Sequence, residues 1–184
     1  PELARLRPQY TAFVARPEIV GRQFVARIHR LTRKLDADPY GDTVWGIVSA
    51  ATPEAALRMA TATEPACVRS VISNTGVAND LYDTVFTLSD AKVGDWFWKK
   101  NDGTTATGND GNADRTRLFI EKFQAIHPDA LVTSGHATER NLEMPFSHGN
   151  TIAKDGRWYG MANWKEAIEI KPDNHPRVFL GAGN

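Results

Sequence analysis

Cysteine is nearly absent: Cys67 is the one thiol in 184 residues, which excludes an intrachain disulfide and any multi-cysteine zinc site. Charge of one sign is missing too. Twenty-two basic residues against 22 acidic ones leave no net charge, an argument against nucleic acid as a bulk electrostatic partner. No uncharged apolar run approaches the ~20 residues that a bilayer span needs, so no membrane partner is expected. The chain has no Gly-x-Ser-x-Gly elbow, no Walker loop and no dinucleotide fingerprint. Ser134-Gly135 supplies half an elbow, but no second glycine follows. Repeats, low-complexity tracts and linker-like stretches are also lacking, and one domain over 1–184 is expected.

What is present is ordinary globular chemistry. Apolar residues make up 41 % and charged residues 24 %, and a chain of this length buries roughly 70 % of its unfolded surface, so a core needs no covalent staple. Short apolar runs alternate with amphipathic stretches, which reads as α/β with parallel strands and helical crossovers. Strands are expected at 10–14, 43–49, 68–73, 84–88, 129–134 and 177–180, the last as a core strand that ends in a turn at Gly181-Ala182-Gly183-Asn184. Helices are expected at 18–35, 54–62 and 114–126. Thr52-Pro53-Glu54 is a helix start: a Thr cap, Pro in the first turn, then an acid. Residues 102–112, with three glycines, read as a polar loop. Lys154-Asp155-Gly156 between apolar segments reads as a β-hairpin turn.

In an open parallel sheet, ligands and catalytic groups sit beyond the carboxyl ends of the strands. That rule selects Ser73-Asn74-Thr75-Gly76, Ser134-Gly135-His136-Ala137 and Gly181-Ala182-Gly183-Asn184. Only the second carries a group that titrates near neutrality and can move protons, His136. Two readings of His136 stand side by side, an acid–base group and a local hydrogen-bonding residue. His29 reads as a surface residue, and His127 and His175 as boundary residues before prolines. His148 is close enough in sequence to face the same cleft. A series of His136, Glu139, Glu143 and His148 offers metal-ligand types, yet it matches no zinc-hydrolase spacing and Pro145 interrupts it. The Asn101–Asp114 stretch has oxygens suited to a structural calcium but not EF-hand spacing. Cys67 precedes a strand rather than ending one and reads as a small buried hydrophobe.

A strand ending in Ser134-Gly135-His136, then a hairpin, then an apolar strand Val178-Phe179-Leu180 running into Gly181-Ala182-Gly183-Asn184, resembles the caspase-like fold of clan CD cysteine peptidases. Within that fold the likeness is to the gingipain-type family. The opening Arg7-Pro8-Gln9-Tyr10-Thr11-Ala12-Phe13-Val14 and the stretch Trp45-Gly46-Ile47-Val48-Ser49 are similar to N-terminal parts of such proteins. The resemblance implies a three-layer αβα fold with a mostly parallel central sheet. It also implies a cysteine endopeptidase with no cofactor, acting on a peptide or protein substrate after a basic residue.

His136 would be the catalytic imidazole, presented by Gly135, and the backbone N–H of Ala137 an oxyanion donor. Ser134, Gly183 and Asn184 would line the substrate site. The family has Gly where this chain has Ala137. The nucleophilic Cys is expected just after Asn184, on a C-terminal fragment of the same precursor, and Glu139 or Glu143 would be the nearest carboxylates to orient the imidazole. The chain is then a processed or truncated piece, exported to the cell envelope or beyond. Two other readings remain at this stage: an inactive binding or scaffold domain of the same fold, and a metal-dependent hydrolase using His136 and His148.

Overall fold

The computed structural model describes residues 2–63, 67–138, 140–173 and 175–183. Contacts gather the chain into two compact units, residues 1–65 and 66–184.

The first unit runs α1 (Glu2–Leu6), β1 (Tyr10–Val14), α2 (Arg22–Thr32), β2 (Val44–Val48) and α3 (Pro53–Ala60). β1 and β2 pair in parallel over five rungs, from Tyr10 opposite Val44 to Val14 opposite Val48. The helical span expected from residue 18 begins instead as a 3-10 turn over Pro17–Ile19, and the α-helix starts after Gly21. α2 buries Ile28 and Thr32, whose hydroxyl donates to the Ile28 carbonyl at 3.0 Å. The cap on α3 forms as the sequence implies, Thr52 Oγ1 accepting the Ala55 N–H at 3.2 Å.

The second unit holds β3 (Ser70–Ser73), β4 (Thr84–Leu88), β5 (Asp95–Lys99), β6 (Thr105–Asn109), α4 (Thr116–Ile126), β7 (Ala130–Gly135), β8 (Asn141–Glu143), β9 (Asn150–Lys154), β10 (Arg157–Ala162), β11 (Glu166–Ile170) and β12 (Val178–Gly183). It is mixed α/β. Six strands form one sheet in the order β12-β7-β3-β4-β5-β6. The first four are parallel, and β5 and β6 extend the sheet antiparallel. Strands β11-β10-β9-β8 form a second, antiparallel sheet.

α4 packs against β3 and β4 on one side and against β10 and β11 on the other. Its Phe119, Ile120 and Phe123 share one core with Ile72, Phe86, Leu88, Leu131, Met144 and Ile170. The helix comes so close to β10 that a Cβ at Gly160 would collide with Ile120 and Thr116; glycine there is what lets the layers approach. Successive residues Val71 and Ile72, and likewise Val85 and Phe86, are fully buried, so both faces of β3 and β4 are covered, as central parallel strands require.

Several expectations are corrected here. The stretch read as a loop, 102–112, contains β6, hairpinned to β5 through a turn in which Gly103 N–H donates to the Lys100 carbonyl at 2.9 Å. β6 (Thr-Ala-Thr-Gly-Asn) is a polar edge strand, so it carries no apolar alternation to read. β5 places Trp96 and Trp98 about Phe86, at 6.2 and 6.3 Å between ring centroids. Strands β5, β8 and β11 and the short helix α1 are additional. β12 continues through Gly181, Ala182 and Gly183 rather than turning there, and it is an edge strand, not a core one. No helix among the described residues is long and apolar enough to cross a membrane.

Candidate active site

Three strand ends meet at the carboxyl side of the parallel strands. In the β7–β12 ladder Ala182 lies opposite Ser134 and Gly183 opposite Gly135, so the two strands run out at the same level. On its other side β7 pairs with β3, and where that ladder stops a side chain continues it. Asn74 N–H donates to the Val132 carbonyl at 3.1 Å, and Asn74 Oδ1 accepts the Ser134 N–H at 2.8 Å. Asn74 has no solvent exposure, and its Nδ2 has no partner among the described residues. Sequence reasoning selected the Ser73–Gly76 segment but saw no chemistry in it. Its signal was an asparagine directly after an apolar strand, a residue able to mimic one more rung of backbone.

Gly135 adopts φ +144, and a Cβ there would sit 3.2 Å from the Glu143 carbonyl. Glycine therefore lets the chain leave β7 and fold back along β8. His136 follows, exposed at the surface. Its carbonyl accepts the Glu143 N–H at 2.9 Å, and Thr138 N–H donates to the Asn141 carbonyl at 2.9 Å. These two bonds flank the antiparallel pair Ala137–Leu142, which makes Ala137 a non-hydrogen-bonded position of that ladder. The Ala137 N–H accordingly points away from β8, and it has no acceptor among the described residues.

Of the remaining sequence-selected residues, Ser134 and Gly183 lie at these strand ends and the others are dispersed. Ser134 is half-buried and held by Asn74. His148 is exposed beyond a 3-10 turn over Pro145–Ser147. Asn184 and Glu139 lie outside the described residues, and Glu143 is half-buried in β8. Cys67, read as a small buried hydrophobe, is exposed instead.

In the stretch considered for calcium, Asp102 Oδ1 accepts the Thr104 N–H at 2.9 Å, Asn112 Oδ1 the Asp114 N–H at 3.1 Å and Asp114 Oδ1 the Thr116 N–H at 2.9 Å. Asp110 is paired with Arg115. These oxygens serve turns and a helix start. Among the described residues, the one trio of metal-ligand side chains whose donor atoms lie within 4.8 Å of one another is Asp36, Asp38 and Asp42 in the first unit. Each of these three accepts a backbone N–H, from Asp38, Tyr40 and Leu35 respectively.

At the opposite end of the parallel strands lies a cluster that sequence reasoning passed over. His175 Nε2 meets Asp129 Oδ1 at 2.6 Å, and His127 Nδ1 meets Asp173 Oδ2 at 2.6 Å. Partial burial opposes charge on Asp129. The hydrogen bonds it receives from the backbone of Arg69, from His175 and from Ser70 outweigh that and hold its carboxyl down at about 2. Asp173 is held at about 2 chiefly by its bond from Arg177 and by the His175 N–H, against desolvation, with a smaller contribution from His127. The pairing joins residues 46 apart, which no local motif announces.

No protein-family model, curated protein or solved structure matches this chain.

Proposed function

We propose that this chain is the histidine-bearing part of a caspase-fold cysteine endopeptidase of the gingipain type. The observation that carries the reading is the Ala137 N–H: a donor turned away from its ladder, directly after His136, at the level where β7 and its parallel neighbour β12 end together. Neighbouring strands are about 4.8 Å apart. A nucleophile delivered just past β12 therefore arrives beside His136 and the donor. The order of the parallel strands, with β3 between β4 and β7 and β12 outermost, also supports a caspase-like sheet, α4 being one of its covering layers.

The chemistry follows from those positions. The Cys thiolate expected after Asn184 attacks the scissile carbonyl carbon, and the developing oxyanion takes hydrogen bonds from the N–H of Ala137 and of that Cys. His136 protonates the leaving amine, and water then hydrolyses the acyl-enzyme, returning the thiol. Asn74 acts as a positioning residue by holding Ser134. The partners in this reading are a peptide or protein substrate and the C-terminal part of the precursor, in an exported protein.

The deciding experiment reads the residue after Asn184 and assays the intact precursor on a peptide panel. Cleavage lost by about 10²–10⁴-fold in His136→Ala, as removal of a positioned acid–base group predicts, supports the peptidase. Undiminished cleavage by His136→Ala removes the histidine from the mechanism. A residue other than Cys after Asn184, with no cleavage by the parent, overturns the peptidase reading in favour of an inactive binding domain.

A further inference from the structure

Away from His136, the outer side of β12 has the properties of a docking edge. β12 pairs with β7 on one side and, among the described residues, with no strand on the other. Its outward backbone N–H and C=O groups are thus available to another strand. The usual protections of an edge are missing, since Val178–Gly183 contains no Lys and no Pro and its register against β7 is unbroken. Phe179 is 51 % and Leu180 57 % exposed. Successive strand residues point to opposite faces, so the edge is uncovered above and below.

Beside it lies a cavity of about 420 Å³ walled by Phe123, Leu131, Leu142, Trp158, Val178 and Phe179, a size and lining suited to bulky apolar groups. Arg177 also lines it, and its Nε is buried without a partner among the described residues. The cavity adjoins a larger one of about 720 Å³, sharing Arg140, Trp158 and Pro172 with it. Arg157 and Glu169 on the lining of the larger cavity pair with each other at 3.9 Å, which leaves Arg140, Lys154 and Lys171 against Asp155 alone. In a chain with no net charge, this local excess of cations marks the partner as acidic.

We propose that the outer edge of β12 and these adjoining cavities form a docking groove for an extended, acidic–apolar peptide segment of a partner protein. The segment adds to the six-stranded sheet as a seventh strand. Main-chain hydrogen bonds to β12 supply affinity, an apolar side chain enters the smaller cavity, and the acidic residues meet Arg140, Lys154 and Lys171. Docking involves no bond cleavage and stands independently of the peptidase reading.

The test is fluorescence polarisation with a labelled peptide, Glu-Val-Phe-Val-Phe-Glu, titrated with the chain. Saturable binding is expected. It should weaken about tenfold when alternate peptide amides are N-methylated, because strand pairing is then lost. It should weaken several-fold when Lys replaces Glu in the peptide or in the exposed-site variant Arg140→Glu. Absence of binding, or equal binding of the N-methylated peptide, overturns the proposal. So does self-association of the chain that Leu180→Lys abolishes, which would make a second copy the occupant.

Discussion

The two units use the same strand–helix–strand grammar and differ in what they bury. In the first, Ile28 is the one buried apolar side chain among the described residues, while Tyr10, Val14 and Val44 of its two strands are exposed. In the second, α4 lies between two sheets, and three of its apolar residues join six others in one buried cluster. Amphipathic patterning alone does not make a core. A two-stranded sheet offers a helix too little apolar area, whereas sheets of six and four strands enclose a helix on both sides.

That contrast can be broken by experiment. The largest expected effect is Phe86→Ala, which should cost about 3–5 kcal/mol in urea denaturation because the cavity among Trp96, Trp98 and α4 cannot collapse. Ile28→Ala in the first unit should cost about 2 kcal/mol, the low end of the range, since half-exposed neighbours can relax around it. Equal costs would show that the first unit is as well packed as the second. Hydrogen exchange offers a direct comparison, with β1 and β2 amides expected to exchange faster than those of β3, β4 and β7.

Asn74→Ala should cost roughly 1–3 kcal/mol, because it leaves the Ser134 N–H without its acceptor beside buried backbone. Faster exchange at the Ser134 amide would accompany it, and unchanged exchange would remove Asn74 as the last rung of the sheet. Acid sharpens the comparison further. The Asp129 carboxyl is held at about 2 in the folded chain, below the ~3.9 of an unfolded aspartate. Its stabilising effect is therefore full above about pH 4 and is lost as the pH falls toward 2. The denaturation midpoint of the second unit should drop through that window, and Asp129→Asn should flatten the drop. The smallest effect is expected at the α3 cap, where Thr52→Ala should cost about 1 kcal/mol and Thr52→Asp little; helicity followed by circular dichroism checks it.

Much of this architecture could be read from residue order. Tyr10–Val14, Thr84–Leu88, the Thr52 cap, α4 and the Asp155-Gly156 hairpin occur where apolar spacing and turn chemistry put them. The strand leading to Ser134-Gly135-His136 did too, and with it the position of the candidate imidazole. β5, with its Trp-Phe-Trp run, carried a local strand signal that the reading passed over; three other misses share a different cause. β6 is polar and exposed, β8 is three residues long, and Gly181–Gly183 looks like a turn until β7 holds it in register. None of these segments carries a local signal strong enough to outweigh its composition; each is a strand because a neighbour supplies the hydrogen bonds.

Local chemistry along the chain was enough to place three of the helices, the cap that starts α3, several apolar strands and a histidine after a strand end, because spacing and capping act over a few residues. It could not say that β12 would lie at the sheet's edge level with β7, that Asn74 would complete the ladder to Ser134, or that the Ala137 N–H would turn away from β8. Those facts arise from pairings between segments tens of residues apart, which are selected by the joint burial of several faces at once and leave no trace in any single stretch of sequence.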